Sequence, residues 1–391
     1  MHPMFSPLHF LNLLHIFNDG YQASFLLLLP FIAKDLHISL TQIGQLGSFI
    51  YFFETILALP TGYLGEKISP FKLIIAAMCL YGISYLFIYF VHSYLFLIFL
   101  FILAGIGFAL FHPLGFALAA SLSPKNSIGK NVGDFTAIGD LGRISLSTAV
   151  TFLAVNIGWR NTSLLYSFLI FIFIFIFLRV IRKKIIHNKM VVEGKLNTKS
   201  VKFSQLLKNR KFILSSLTAL FDSAASSSLF IFLPFLLIKK GVNPAVLGTF
   251  TAAYFVGNFL GKSVIGRLTD KWGGVTVFVI AELCMAIFII VLTQTSSLWL
   301  IIIISIILGT LTKGTIPARA TMAIESVAHH GRYEKAVALL GFIASIGTTS
   351  APMIYGKIAD SWGISYTFYL SAILAIVAII PALGYRFTKS E

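Results

Sequence analysis

Four polar side chains interrupt the first apolar stretch of the chain at helical spacing. The stretch reads LLHIFNDGYQASFLLLLPF and contains His15, Asn18, Asp19 and Gln22. Steps of three and four residues place them on one face of an α-helix. A charged side chain near the centre of a bilayer costs about 2.5–3.5 kcal/mol, so it needs a partner, water or a function. We expect Asp19 to carry protons and the other three to contact a solute in a wet pathway; the alternative is a sealed hydrogen-bond network between helices.

A basic residue follows an acid in the predicted fifth helix. The segment GDFTAIGDLGRISLSTAV, residues 133–150, holds Asp140 and Arg143 three positions apart, which is close enough for an ion pair. A guanidinium can also hold a carboxylate or phosphate through two hydrogen bonds. A solute anion would then compete with Asp140 for Arg143, which would link solute binding to protonation of the acid. The alternative is a self-neutralised pair that stiffens the helix.

Two further candidates each stand shortly before a proline. His112 precedes Pro113 and Lys313 precedes Pro317, and a proline within a membrane helix permits a kink that gating could use. Histidine titrates near neutral pH, so His112 is a candidate proton carrier, with a hydrogen-bonded structural role as the alternative. Lys313 must pair with an acid from another helix or bind an anion, and we assign it to the solute.

Three more acids lie inside apolar segments. Glu54 is a candidate proton carrier because burial favours the neutral form of a carboxyl group; its alternative is a buried ion pair with Arg143 or Lys262. Asp222 occupies the region of the seventh predicted helix that matches the polar part of the first, so it joins the proton-coupling candidates. Glu282 falls in the ninth predicted helix, and we expect a structural or interfacial role there.

Charged residues toward the predicted cytoplasmic helix ends form another group. Opposite charges there could close the cytoplasmic side as latches between the two halves of the chain and separate when that side opens. We assign this gating role, in preference to direct solute contact, to Glu66, Lys67, Asp134, Lys262, Asp270, Lys271, Arg319 and Glu325.

The composition places these residues in a membrane protein. The chain has 391 residues, of which 57% are hydrophobic and 11% charged, and its mean hydropathy is +0.90. Apolar stretches of about 20 residues recur, each long enough to cross a hydrocarbon core about 30 Å thick. The predicted fold is all-α, with twelve transmembrane helices in two six-helix bundles. The predicted helices cover 8–34, 43–65, 71–91, 94–119, 131–156, 162–182, 212–238, 245–266, 274–293, 297–322, 335–357 and 364–386.

The basic charge of the chain follows the predicted topology. The net charge is +16, and eleven Lys and Arg residues lie within 179–211 against the single acid Glu193. Cytoplasmic loops hold an excess of Lys and Arg, so we expect both termini to be cytoplasmic and nucleic acid not to be a partner. The polar stretch 183–211 is then a basic linker between an N-terminal bundle, 1–182, and a C-terminal bundle, 212–391.

Motifs of enzymes and cofactor sites have no match in the sequence. It contains no Cys/His metal cluster, no Gly-x-x-x-x-Gly-Lys phosphate loop and no nucleophile elbow. Cys79 and Cys284 lie in apolar segments, where we expect them to fill space rather than to form a disulfide. We therefore expect no enzymatic activity, no cofactor and no metal, and an ion gradient as the energy source. Protons are favoured over sodium because the titratable side chains outnumber any oxygen cage.

The two halves of the chain resemble each other at a constant offset. LPFIAKDLHISLTQIGQL, residues 29–46, aligns with LPFLLIKKGVNPAVLGTF, residues 233–250. The same offset pairs TGYLGEK, residues 61–67, with IGRLTDK, residues 265–271. Agreement at separated places indicates an internal duplication of six-helix halves.

The sequence resembles the major facilitator superfamily. GYLGEKISPFK (62–72), repeated as GRLTDKWGG (266–274), is similar to the signature of that superfamily between helices 2 and 3 and between helices 8 and 9. LHIFNDGYQ (14–22), LTQIGQLGSF (40–49) and GIGFALFHPLGFALAASLS (105–123) are most similar to fosmidomycin-resistance-type transporters. The resemblance implies a proton-coupled secondary transporter, usually an exporter, in which helices 1, 4, 7 and 10 line a central cavity.

Two departures from that family keep more than one transport direction open. Leu114 follows His-Pro where the family commonly has an acid, and the fifth helix lacks a Gly-Pro motif but carries Asp140 and Arg143. We predict a proton-coupled carrier of a small anionic or polar solute that works by alternating access, as an exporter by antiport. Uptake of an anionic metabolite or chelate by symport is the alternative, and a channel or membrane sensor fits less well.

The expected setting is a bacterial inner membrane. There we expect a functional monomer whose partners are the solute, protons and the lipid bilayer.

Overall fold

The computed structural model describes residues 7–124, 127–185, 206–327 and 334–388, and these ranges are almost entirely helical. They hold thirteen α-helices and one 3₁₀ turn, Pro244–Val246, and no strand. The helices of the first half are α1 (Pro7–Leu27), α2 (Leu29–Leu36), α3 (Leu40–Lys67), α4 (Pro70–Ile88), α5 (Tyr94–Ser121), α6 (Ile128–Ile157) and α7 (Trp159–Ile185). Those of the second half are α8 (Arg210–Lys239), α9 (Leu247–Trp272), α10 (Gly274–Gln294), α11 (Leu298–Ser326), α12 (Glu334–Trp362) and α13 (Ile364–Phe387).

A helix stands at each of the twelve predicted positions, with α1 and α2 together filling the first. Among the described residues, ten helical segments are long and apolar enough to cross a membrane. An eleventh is the bent α3, whose parts Leu40–Ala58 and Pro60–Lys67 meet at 54°. Pro60 explains the bend, because proline removes a backbone donor and its ring clashes with the preceding turn. Helix α9 is long enough to cross a membrane but less apolar than the other spans. The predicted all-α membrane fold is confirmed.

The described chain separates into two compact units. Unit 1 comprises the described parts of Met1–Ile38, Phe49–Lys195 and Asn243–Gly248. Unit 2 comprises those of Ser39–Ser48, Leu196–Val242 and Thr249–Glu391. Most of the predicted linker, at 186–205, lies outside the described residues.

Close backbone contact between α1 and α6 organises unit 1. A Cβ atom on Gly142 would overlap the carbonyl group of Ile16, and one on Gly20 would lie 2.7 Å from the carbonyl oxygen of Gly142. Small residues at such positions let membrane helices approach each other closely. Because α1 and α6 carry most of the predicted polar residues of the first half, this contact brings their polar faces together.

Buried tyrosines join the other helices of unit 1 to the same pair. The Tyr21 hydroxyl donates to the carbonyl oxygen of Tyr166 at 2.6 Å, and the Tyr85 hydroxyl donates to that of Tyr21 at 2.8 Å. The Tyr166 hydroxyl in turn donates to the carbonyl oxygen of Leu146 at 2.6 Å. These bonds link α1, α4, α6 and α7, and they give each buried hydroxyl group an acceptor.

Close contacts at glycine and hydrogen bonds from buried hydroxyl groups also join the helices of unit 2. A Cβ atom on Gly347 of α12 would overlap the carbonyl oxygen of Leu220 on α8. The Tyr355 hydroxyl donates to the carbonyl oxygen of Ala224 at 2.9 Å, and the Ser371 hydroxyl donates to that of Ala225 at 2.6 Å. Helix α8 is thereby fixed against α12 and α13, as α1 is fixed within unit 1.

The contact between α1 and α6 predicts a specific stability difference between two glycines of α6. Gly142→Ala should destabilise the protein by about 1–3 kcal/mol, because the added methyl group overpacks the contact with Ile16. Gly133→Ala is the matched control, since nothing lies within 4 Å of its Cβ position. Alanine there should leave the melting temperature unchanged or raise it, because it favours the helix. Thermal unfolding in detergent measures both variants, and equal melting temperatures would contradict the packing.

Candidate functional site

Asp19 is the centre of the candidate site in unit 1. Its side chain is buried, and its carboxylate contacts basic groups from three helices. The Nε2 atom of His15 lies 3.2 Å from Oδ2, Nε2 of His112 lies 3.1 Å from Oδ1, and Nη2 of Arg143 lies 2.8 Å from Oδ2. An ionised carboxylate is tolerated in a membrane interior when opposite charge is this close.

Local features of three helices place these groups. His15 and Asp19 are four residues apart on α1, so they lie on one face. On α6, a Cβ atom on Gly139 would overlap the Asp19 carboxylate and come within 2.9 Å of the His15 ring. Gly139 therefore makes the room in which the carboxylate sits, a role that the sequence analysis did not assign. The sequence signal for this role was the position of Gly139 directly before the candidate acid Asp140.

The backbone fixes the tautomer of His15. Its Nδ1 atom lies 2.7 Å from the carbonyl oxygen of Phe135, and because a carbonyl oxygen only accepts, Nδ1 carries a proton. The ring is stacked on Phe135 with 4.1 Å between centroids. Its buried Nε2 atom faces the Asp19 carboxylate without the alignment of a hydrogen bond. That contact is favourable only when Nε2 also carries a proton.

Arg143 holds two carboxylates at once. Its Nη1 atom donates to Oδ1 of the buried Asp140 at 2.7 Å, while Nη2 contacts Asp19. Two carboxylates and one guanidinium carry a net charge of −1, which one protonated imidazole would neutralise. The side chain of Arg143 is 19% exposed and that of His112 is 28% exposed, against 2% for Asp19. The two basic side chains are therefore more accessible than the acid that they contact.

The remaining polar residues predicted in the first half lie beside this cluster. Nδ2 of Asn18 donates to Oδ1 of Asp19 at 3.0 Å. Nε2 of Gln22 donates to a carboxyl oxygen of Glu54, which brings α3 to the same face of α1. Unit 1 thus gathers eight of the predicted site residues, namely His15, Asn18, Asp19, Gln22, Glu54, His112, Asp140 and Arg143.

Three of these groups also have the spacing of metal ligands. One ligand atom each from His15, Asp19 and His112 lies within 4.8 Å of the others. The sequence predicts no Cys/His metal cluster, and these two histidines are 97 positions apart along the chain. The guanidinium of Arg143, 2.8 Å from the same carboxylate, adds positive charge that a bare divalent cation would have to overcome.

Unit 2 contains a second buried cluster around Asp222. Its Oδ2 atom lies 2.5 Å from Nη1 of Arg319, which also donates to the Ser223 hydroxyl at 2.7 Å. The Thr315 hydroxyl lies 3.2 Å from both carboxyl oxygens of Asp222. Lys313, the predicted solute contact, is half-buried on α11, which also carries Arg319.

Glu282 joins this second cluster. The side chain, on α10, is 0% exposed, and both of its carboxyl oxygens are buried with no hydrogen-bond partner among the described residues. Its electrostatic partners are Asp222 and Arg319. A structural or interfacial role was predicted for Glu282, because the ninth helix was expected at the periphery. The sequence does show an acid within an apolar run. Which way the Glu282 side chain points depends on helix packing, which the sequence does not display.

The predicted gating residues divide into two groups. Arg319 is engaged within unit 2 by Asp222, and Lys262 is half-buried. The contacts expected of latches between the halves stay a prediction. The other six side chains are exposed, namely Glu66, Lys67, Asp134, Asp270, Lys271 and Glu325.

Known proteins share both the sequence pattern and the fold. A family model described as Major Facilitator Superfamily (MFS) matches residues 9–239 and again 215–391. An uncharacterized MFS-type transporter of Methanocaldococcus jannaschii is 25% identical over 350 residues, which cover 88% of this chain and 89% of that protein. The uncharacterized MFS-type transporter YuxJ of Bacillus subtilis is 26% identical over 324 residues, which cover 80% of each chain.

Solved structures of transporters have the same fold at low sequence identity. A mutant of the nucleoside transporter NupG superposes with a TM-score of 0.82 at 13% identity, covering 97% of this chain and 99% of that one. A bacterial homolog of the human lysosomal transporter Spinster, inward-facing and unoccupied, gives a TM-score of 0.76 at 16% identity, covering 97% and 96%. These proteins are transporters rather than enzymes. With its apolar helices and a family match across both halves, the chain belongs to the major facilitator superfamily and is a multi-pass membrane transporter.

Proposed function

We propose that the chain is a proton-coupled secondary transporter of a small anionic solute, in which Asp19 binds the coupling proton and Arg143 binds the anion. The observation that supports this proposal is the shared use of one guanidinium. Arg143 contacts the buried carboxylate of Asp19 at 2.8 Å while its own side chain is partly exposed. A solute carboxylate or phosphate would replace the Asp19 carboxylate as the partner of Arg143.

Charge balance then links the two ligands. If a solute anion takes over Arg143, the Asp19 carboxylate loses its closest cation in a buried setting. Protonation of Asp19 removes that cost, so the anion and the proton bind better together than either binds alone. His15 and His112, each within 3.2 Å of the carboxylate, are suited to deliver the proton.

Cooperative binding of an anion and a proton favours symport, which the sequence analysis held as the alternative. With an inward proton gradient, symport takes the solute up by alternating access. One proton carried with one monovalent anion moves no net charge, so the pH gradient rather than the membrane potential drives uptake, at about 1.4 kcal/mol for each pH unit.

Export by antiport is the second candidate, and it is supported by a different observation. The segments LHIFNDGYQ (14–22) and GIGFALFHPLGFALAASLS (105–123) are similar to the fosmidomycin-resistance-type exporters. In an antiporter the solute and the proton would compete for Asp19, so a neutral or cationic solute would suit this site better. The pH dependence of solute binding separates the two candidates: affinity rises with falling pH in the symporter and decreases in the antiporter.

The proposed setting follows from the charge distribution. Eleven Lys and Arg residues within 179–211 favour a cytoplasmic connection between the halves and cytoplasmic termini. We place the protein in a bacterial inner membrane as a functional monomer. The exposed charged residues predicted for gating, such as Lys67 and Asp270, would close the cytoplasmic side.

The proton site is tested by Asp19→Asn in proteoliposomes. The variant should lose uphill, proton-driven transport but keep counterflow exchange, because asparagine imitates the protonated acid and cannot release a proton. Asp35→Asn is the matched control, since Asp35 forms an ion pair with Arg160 at 2.6 Å and is 45% exposed. Such surface pairs contribute about 0–1 kcal/mol. Normal uphill transport by Asp19→Asn would remove Asp19 from the mechanism.

The anion site is tested by Arg143→Gln and a panel of small carboxylates, phosphates and phosphonates. A ligand that binds only the folded protein raises its free energy of unfolding, by about 2.7 kcal/mol when its concentration is 100 times its Kd. The melting temperature rises accordingly. Arg143→Gln should abolish the shift given by anions, whereas Arg160→Gln, which alters a surface pair, should keep it. A shift that survives in Arg143→Gln would show that the anion binds elsewhere.

A further inference from the structure

Glu282 is directed into unit 2 although it lies on a helix with an outward face. Its neighbours on α10 include Ile280, Leu283 and Ile287, whose side chains are 47%, 43% and 58% exposed. Glu282 itself is 0% exposed. Hydrocarbon cannot stabilise the charge of an acid, so acids within membrane helices face the protein interior. A buried acid of this kind is a candidate functional group.

The contacts of Glu282 leave its carboxyl group without a donor. Neither oxygen has a hydrogen-bond donor among the described residues. Glu282 interacts with the carboxyl group of Asp222, which is also an acceptor when ionised. Two carboxyl groups form a hydrogen bond with each other only if one of them carries a proton. Like charges so close in a buried site also disfavour ionisation of both.

The surrounding donors decide which acid holds the proton. Arg319 donates to Asp222 at 2.5 Å and Thr315 lies 3.2 Å from both of its oxygens, so Asp222 has the partners of an ionised carboxylate. With Asp222 ionised and Arg319 cationic, the cluster is neutral when Glu282 is protonated. An ionised Glu282 would leave a net charge of −1, because Arg319 is the cation that interacts with it among the described residues.

The helices packed against α10 carry other titratable groups, among them the half-buried Lys313 of α11, and several of them are engaged elsewhere. On α13, the Tyr385 hydroxyl donates to the carbonyl oxygen of Met322 at 2.9 Å, and the Tyr369 hydroxyl accepts from Gln294 at 2.6 Å. On α11, the exposed Glu325 lies 3.4 Å from the Tyr385 hydroxyl. The groups that interact with Glu282 are Asp222 and Arg319.

We propose that Glu282 is a second proton-binding site, which donates a hydrogen bond to Asp222 in its protonated form and competes with Asp222 for Arg319 when the proton leaves. The proton on Glu282 therefore sets which carboxylate the guanidinium of Arg319 holds. This inference goes beyond the proposed function, because it depends on unit 2 alone and holds whether or not Asp19 carries a coupling proton.

Infrared difference spectroscopy of the full-length protein in nanodiscs tests the proposal without a solute. Spectra recorded between neutral and high pH should show the loss of a carbonyl stretching band of a protonated, buried carboxyl group. The band should be absent in Glu282→Gln. It should be retained in Glu325→Gln, an exposed acid of the same unit, and in Asp19→Asn, which separates this site from the one proposed in unit 1.

Two results would overturn the assignment. One is a wild-type protein with no such band, and the other is a band that persists unchanged in Glu282→Gln. If Glu282→Gln does not fold, Glu282→Asp keeps an acid at the site but changes its length and surroundings. The band should then shift in position, and an unshifted band would contradict the proposal.

The stability of Glu282→Gln gives an independent readout. The wild-type protein must keep a proton that the unfolded chain releases above acidic pH, so its melting temperature should fall with rising pH more steeply than that of the variant. Glu325→Gln should follow the wild-type profile. Parallel profiles for the wild type and Glu282→Gln would contradict a protonated Glu282.

Discussion

A carboxylate buried among membrane helices must have its charge balanced at short range, and this constraint shapes both units of the protein. Asp19 is balanced by Arg143 and two imidazoles within 3.2 Å. Asp222 is balanced by Arg319 at 2.5 Å. Removing one partner of such a pair leaves an uncompensated charge, at a cost of about 3–5 kcal/mol. A bound anion or proton that rearranges these pairs therefore acts on the whole unit, because the partners belong to different helices.

The two clusters meet this constraint with different chemistry. In unit 1 the extra partners are the imidazoles of His15 and His112. In unit 2 the extra partner is a second acid, Glu282, which is compatible with Asp222 while it is protonated. Both arrangements depend on close helix packing. Gly139 leaves room for the Asp19 carboxylate, and Gly142 brings α6 against the backbone of α1.

The sequence predicted what depends on local periodicity. Apolar length located the helices, and the spacing of His15 and Asp19 placed them on one face of α1, where the structure has them. It did not predict contacts set by packing between distant segments. The Phe135 carbonyl group that fixes the tautomer of His15 is 120 positions away, and Glu282 is directed at Asp222 by the rotation of α10. The sequence assigned Arg319 to gating because it lies toward a helix end. Its ion pair with Asp222 instead depends on the packing of α8 on α11.

The account rests on the exchange of partners at Arg143, in which a solute anion displaces Asp19 and the freed carboxylate binds a proton. Proton uptake during ligand binding measures this exchange most directly. The anion with the largest thermal shift would be titrated into weakly buffered detergent-solubilised protein, with a pH-indicator dye as the readout. The wild-type protein should take up protons on binding, and Asp19→Asn should lose this uptake. Proton release, or binding with no proton change in the wild type, would contradict it.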